Sequence, residues 1–231
     1  MPSPLHAALL SAIVIVLSTW AGSATASEEF PPERWASVIA EFEAADRASP
    51  PPEGAVVFVG SSSIRFWDTL AEDFPSIDTI NRGFGGSGMR DLLHYADRIV
   101  TPYQPSHVVI YTGENDLARG SDADEVYANY QAVVDAIQAE LPDVPITFVA
   151  MKPSPSRAHL LDEKRRGNAM IEAFSSTDDQ LDYIDVFEPM LDDQGQPRSE
   201  LFVDDMLHLN ADGYRLWREI IRPYVIEERG H

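Results

Sequence analysis

Four short segments of this chain hold residue types able to do chemistry, and three of them directly follow apolar, β-branched runs. The first, Gly60-Ser61-Ser62-Ser63-Ile64-Arg65-Phe66-Trp67, offers serine hydroxyls where a strand gives way to a helix. A hydroxyl there stands at an exposed rim, beside a helix N-terminus that favours negative charge, which suits a nucleophile. The same serines also fit an ordinary N-cap. The second segment, Asn81-Arg82-Gly83-Phe84-Gly85-Gly86-Ser87-Gly88, matches GxGxxG at Gly83, Gly85 and Gly88. A dinucleotide fingerprint also needs an acidic residue about 20 positions on to hold the ribose. The chain there reads Thr101-Pro102-Tyr103-Gln104-Pro105-Ser106, without an acid. These glycines therefore point to a backbone N–H exposed to a developing oxyanion, or to a tight turn.

The third segment, Thr112-Gly113-Glu114-Asn115-Asp116, brings a side-chain amide that can donate to the same oxyanion, or an Asn-Asp pair that makes a turn. In the fourth, Asp204-Asp205-Met206-Leu207-His208-Leu209-Asn210, a carboxylate stands three residues before a histidine. In a tight turn it can orient the imidazole and stabilise its protonated form. Metal ligation is the rival use of Asp204, Asp205 and His208, with Glu114 or Asp116 as further ligands. The five other histidines offer no paired ligand spacing. A further polar run, Lys152-Pro153-Ser154-Pro155-Ser156-Arg157, follows an apolar stretch. It is expected either to reach the same rim, with Lys152 and Arg157 on a polar or anionic substrate group, or to form a solvated loop.

The elements that must position these residues alternate in period. Ala55 to Val59, His107 to Tyr111 and Ile146 to Met151 are short, β-branched and apolar on both faces, as buried parallel strands are. Weaker strand signals run from Ile77 to Asn81 and from Tyr183 to Val186. Pro31-Pro32-Glu33 opens a helix that Pro50-Pro51-Pro52 closes. A second helix shows Val126, Tyr130, Val133, Ile137 and Leu141 at steps of three and four behind Asp122 and Glu125. A last one is capped by Asn210. This alternation predicts an α/β fold, an open parallel sheet covered by helices on both faces, with ligands at the carboxyl ends of the strands.

Taken in order, the four segments resemble the conserved blocks of the SGNH/GDSL hydrolases. Gly60-Ser61-Ser62 resembles the Gly-Asp-Ser block with Ser in place of Asp. Asn81 to Gly86, Gly113 to Asp116 and Asp205-Met206-Leu207-His208 resemble the other three blocks. The resemblance implies a three-layer α/β/α sandwich with a central parallel sheet, the flavodoxin-like form of that family. It also implies a serine esterase in which Ser62 is the nucleophile, His208 the general base and Asp205 its partner. The Ser62 and Gly86 N–H groups and the Asn115 amide would hold the oxyanion, and no cofactor or metal is expected. Short-chain acyl or acetyl esters of small molecules or carbohydrates are the expected substrates. Acyl transfer or thioester cleavage by the same triad are alternatives, as is a carbohydrate-binding module with a vestigial site.

Composition bounds the rest. The chain has 231 residues, enough for one domain. Its 17 basic against 38 acidic residues give a formal net charge of -21, which repels phosphate backbones and makes nucleic acid a poor partner. Ala7 to Trp20 is apolar and is followed by Ala24-Thr25-Ala26, an A-x-A pattern. It predicts a signal peptide over 1–26, cleavage after Ala26, export to a periplasmic or secreted location, and no membrane span in the processed protein, whose domain covers 27–231; an uncleaved anchor is the alternative reading. With no cysteine, disulfides, thiolate metal sites and a cysteine nucleophile are all excluded.

Overall fold

The computed structural model describes residues 31–226; the predicted signal segment lies outside them. Five strands form one sheet: β1 Val56–Gly60, β2 Thr79–Gly83, β3 His107–Tyr111, β4 Ile146–Val149 and β5 Leu181–Ile184. Every pairing is parallel, in the order β2-β1-β3-β4-β5. The two weaker strand signals are shifted by two residues. β2 starts late because Ile77 is still bound in a turn, its N–H donating to Phe74 O. β5 ends early because Asp185 accepts the Phe187 N–H and turns the chain away. β4 stops short of Met151, whose N–H goes to the Asn168 side chain instead of the ladder.

Among the described residues eight α-helices accompany the sheet: α1 Ala36–Ala48, α2 Ser62–Arg65, α3 Leu70–Asp73, α4 Met89–Ile99, α5 Glu114–Ala118, α6 Ala123–Glu140, α7 Leu161–Ser175 and α8 Ala211–Ile226. Strand side chains alternate between faces, so the sheet feeds two cores. Val57, Val59, Val108, Ile110 and Phe148 pack with Ile39, Leu92, Val133, Ile137 and Ile171 from α1, α4, α6 and α7. Val56, Phe58, Val109 and Tyr111 pack on the opposite face with Trp67, Phe74, Trp217 and Ile221. This is the predicted three-layer α/β/α sandwich. Burying each of these large apolar side chains contributes about 1.5–3 kcal/mol.

Capping explains where the long helices start. Asp122 accepts the Glu125 N–H ahead of α6, and the Asn210 side chain accepts from Asp212 and Gly213 ahead of α8. The sheet order reverses at β1, which has β2 on one side and β3 on the other. A crevice opens at the strands' carboxyl ends beside such a switch point. β1 and β3 approach closely there. Gly60 has φ +136, and a Cβ on it would lie 1.9 Å from the Tyr111 carbonyl oxygen, so only glycine fits.

Candidate active site

The chain leaves β1 through Ser61, whose N–H donates to Tyr111 O, and turns at once into α2. The Ile64 and Arg65 N–H groups both return to Ser61 O. Asn81 Nδ2 holds Ile64 O at 2.7 Å, and the Tyr214 hydroxyl holds Ser63 O at 3.0 Å. Of the three serines, Ser61 and Ser63 are buried, at 3% and 1% exposure, whereas Ser62 is partly exposed. Ser61 occupies the N-cap position without a side-chain capping bond, so the capping alternative is not realised. Ser62 stands at the first position of the helix, whose N–H has no acceptor within the helix.

Its partner arrives from the far end of the chain. Residues 203–208 form a tight turn closed by the Val203 N–H on His208 O, with Met206 in the left-handed region at φ +55. Asp205 Oδ1 accepts the Leu207 and His208 N–H groups at 2.8 and 2.9 Å, and Oδ2 lies 2.5 Å from His208 Nδ1. Desolvation favours the neutral acid, but the His208 N–H, the imidazole and the Leu207 N–H outweigh it and lower the Asp205 pKa to about 2. His208 Nε2 reaches Ser62 Oγ at 3.0 Å. The Phe66 ring packs edge-on against the imidazole, centroids 5.0 Å apart. A carboxylate on Nδ1 fixes the tautomer whose Nε2 can accept the hydroxyl proton.

The glycine segment lies beside this group. A Cβ on Gly85 would be 3.7 Å from Ser62 Cβ, and Gly86 follows, partly exposed at φ +80, its carbonyl accepting from Arg119. From α5, Asn115 Nδ2 donates to Ser87 O at 2.9 Å, while Oδ1 accepts from Arg157 Nη2 at 3.0 Å. An amide carries two N–H groups, so one remains beyond the Ser87 contact. Ser62, Gly86, Asn115, Asp205 and His208 thus gather at one rim of the sheet.

Residues weighed from the sequence for substrate contact or metal ligation have other partners in the fold. Lys152 does not reach a substrate at the rim: it is 2% exposed and its Nζ donates to Glu114 Oε2 at 2.6 Å. Arg157 is already engaged by Asn115 and the Glu114 carbonyl. Glu114 and Asp116, weighed as metal ligands, have other partners. Glu114 is buried among Tyr111, Lys152, Ser154 and Lys164, and Asp116 accepts the Met89 N–H. Among the described residues no three acidic or histidine side chains gather as a metal ion requires. One faint signal of the Glu114 cluster is legible in the chain: a lysine directly after the apolar run Ile146 to Met151.

A profile described as the GDSL-like Lipase/Acylhydrolase family matches residues 53–216. A search of curated proteins finds no match. Among solved structures, a Streptococcus pneumonia protein provisionally assigned as a platelet activating factor is 20% identical with a TM-score of 0.75, covering 86% of this chain and 95% of that one. A GDSL-like lipase from Bacteroides thetaiotaomicron is 21% identical with a TM-score of 0.67, covering 84% and 97%. The acetyl xylan esterase AlAXEase is 22% identical with a TM-score of 0.60, covering 74% and 99%. At these identities the structures establish a shared fold.

Proposed function

Because the chain belongs to the GDSL-like lipase/acylhydrolase family and is therefore a carboxylic ester hydrolase, we propose that Ser62 is its nucleophile, His208 its general base and Asp205 the carboxylate that orients the base. The observation that carries this reading is the unbroken relay from Asp205 Oδ2 to His208 Nδ1 at 2.5 Å and from Nε2 to Ser62 Oγ at 3.0 Å. His208 takes the Ser62 proton as the oxygen attacks the ester carbonyl. The Ser62 and Gly86 N–H groups and the free Asn115 N–H stabilise the resulting oxyanion. Collapse expels the alcohol, protonated by His208, and leaves an acyl group on Ser62. Water, deprotonated by the same imidazole, then releases the acid.

The substrates in this reading are short-chain acyl or acetyl esters. The relay is open to solvent, with the Asp205 side chain 48% and the His208 side chain 25% exposed. Exposed apolar side chains in the segments that carry the relay include Phe66, Val203 and Met206. Such a surface buries a few acyl carbons at about 0.8 kcal/mol per methylene, far short of a long-chain groove. Turnover over KM across aryl esters should peak at acetyl to butyryl, and an optimum at ten or more carbons would sink the short-acyl assignment. The N-terminal segment supports export, checked by whether the mature protein begins at Ser27.

The deciding experiment is labelling with a fluorophosphonate probe followed by peptide mapping. Label on Ser62, lost in His208→Ala, is expected. Label on Ser61 or Ser63, or undiminished label in His208→Ala, would refute the assignment.

A further inference from the structure

We propose that Arg157 is a positioning residue for Asn115, holding the amide in the one orientation that presents N–H, not C=O, to the oxyanion; this rests on the role just given to Asn115. An amide side chain can be turned over at little steric cost, yet only one face is useful. A carbonyl oxygen aimed at a developing oxyanion repels it. Two contacts select the useful orientation. The Ser87 carbonyl, which only accepts, takes Nδ2 at 2.9 Å, and the Arg157 guanidinium, which only donates, takes Oδ1 at 3.0 Å. A turned-over amide would put oxygen against oxygen at Ser87 and nitrogen against nitrogen at Arg157.

Arg157 is itself held. Nη1 donates to the Glu114 carbonyl at 3.3 Å and lies 3.7 Å from Glu114 Oε1, and the side chain is only 19% exposed. Its segment is pinned at both ends. Ser154 Oγ donates to Glu114 Oε1, and the Ser156 N–H and hydroxyl both donate to Met206 O, inside the turn that carries Asp205 and His208. The segment therefore indexes Asn115 and the histidine turn to each other. Charge acts in the same direction. Lys152, Lys164 and Arg157 surround the single carboxylate of Glu114, so positive charge is in excess directly behind Asn115. A cation on Oδ1 also polarises the amide and strengthens its N–H groups as donors.

The test is a double-mutant cycle on the full chain with an acetyl aryl ester, comparing wild type, Asn115→Ala, Arg157→Met and the double variant. Arg157→Met keeps the apolar stem and is expected to lower turnover about tenfold or more, with KM changed by less than about twofold. Because Arg157 acts through Asn115, the double variant should fall no more than about threefold below Asn115→Ala. Added guanidinium ion should recover turnover in Arg157→Met but not in the double variant. Losses that multiply in the double variant, or a raised KM with turnover intact, overturn the proposal, the latter in favour of substrate contact. If Arg157→Met does not fold, Arg157→Lys carries the same cycle, and near-UV circular dichroism confirms its native packing. Wild-type turnover in Asn115→Ala would defeat the oxyanion reading itself; an impaired Asn115→Ala beside an unimpaired Arg157→Met defeats only the inference about Arg157.

Discussion

Asn115 is flanked in sequence by two buried carboxylates, and they titrate in opposite directions. Glu114 is 3% exposed and Asp116 is 7% exposed, so desolvation favours the neutral acid in both. At Glu114, the charges of Lys152, Lys164 and Arg157 overwhelm desolvation and hold the carboxyl well below its ordinary range. At Asp116, the Met89 N–H and Arg119 fall short, Asp91 adds repulsion, and the pKa rises to about 6. The number of cations in contact, not depth, decides which carboxylate stays charged. One side of Asn115 is thus a fixed ionic hub; the other is a single acid that can take up a proton in weakly acidic solution.

The largest test of this contrast is Glu114→Gln, which keeps the shape but strands two buried ammonium groups. Breaking a buried ion set in this way costs about 3–5 kcal/mol, read as a lowered denaturant midpoint. A loss below about 1 kcal/mol would mean the lysines find other partners. Next comes the residue between the two acids. Asn115→Ala should cost about 3–4 kcal/mol in activation, roughly a hundred- to thousandfold in turnover, with the denaturant midpoint little changed. A raised KM with turnover intact would mark Asn115 as a binding residue.

Asp116→Asn tests the other acid through pH. A carboxyl whose folded pKa is raised binds protons more tightly when folded, so its contribution falls as pH rises from the ordinary value of 3.8 to about 6 and is level above that. Wild type should lose ground to Asp116→Asn across that window by roughly 1–3 kcal/mol, at about 1.4 kcal/mol per pH unit. Glu114 has the opposite sign: its contribution is complete above its ordinary 4.5 and disappears as pH falls below it. The advantage of wild type over Glu114→Gln should therefore shrink only in acid. Parallel pH curves for the two variants would end the comparison. The smallest effect is expected at the surface, where Arg166 pairs with Asp124 although both side chains are about half exposed. Arg166→Ala should leave the midpoint unmoved, because solvent screens such pairs.

Much of this architecture is legible in the chain because it rests on local signals. α6 announces itself by apolar residues at steps of three and four behind Asp122, and β3 was readable residue for residue from His107 to Tyr111. The first three polar segments likewise reflect a parallel sheet, which sends every strand's exit to the same rim. What was not legible depends on partners distant in sequence. Lys152 and Lys164 lie 38 and 50 residues from Glu114, and no periodicity links them. Arg157 reads from the sequence as facing a substrate group or solvent, and only the fold turns it onto Asn115. The displaced starts and ends of β2 and β5 were set by turn bonds at Ile77 and Asp185, which pattern alone does not locate.

The contact between Ser62 and His208 spans 146 positions of chain. All five strands are complete by Ile184, before the Asp205 turn begins. During synthesis the scaffold under Ser62 can therefore be assembled while the group proposed to activate it has yet to emerge. Loop closure across so long a separation is slow relative to local structure. With His208 as the proposed base, catalytic competence arrives last, and hydrolysis would report that the final turn and α8 have docked. A nick between Ser199 and Asn210 would silence the enzyme while leaving every strand of the sheet covalently intact.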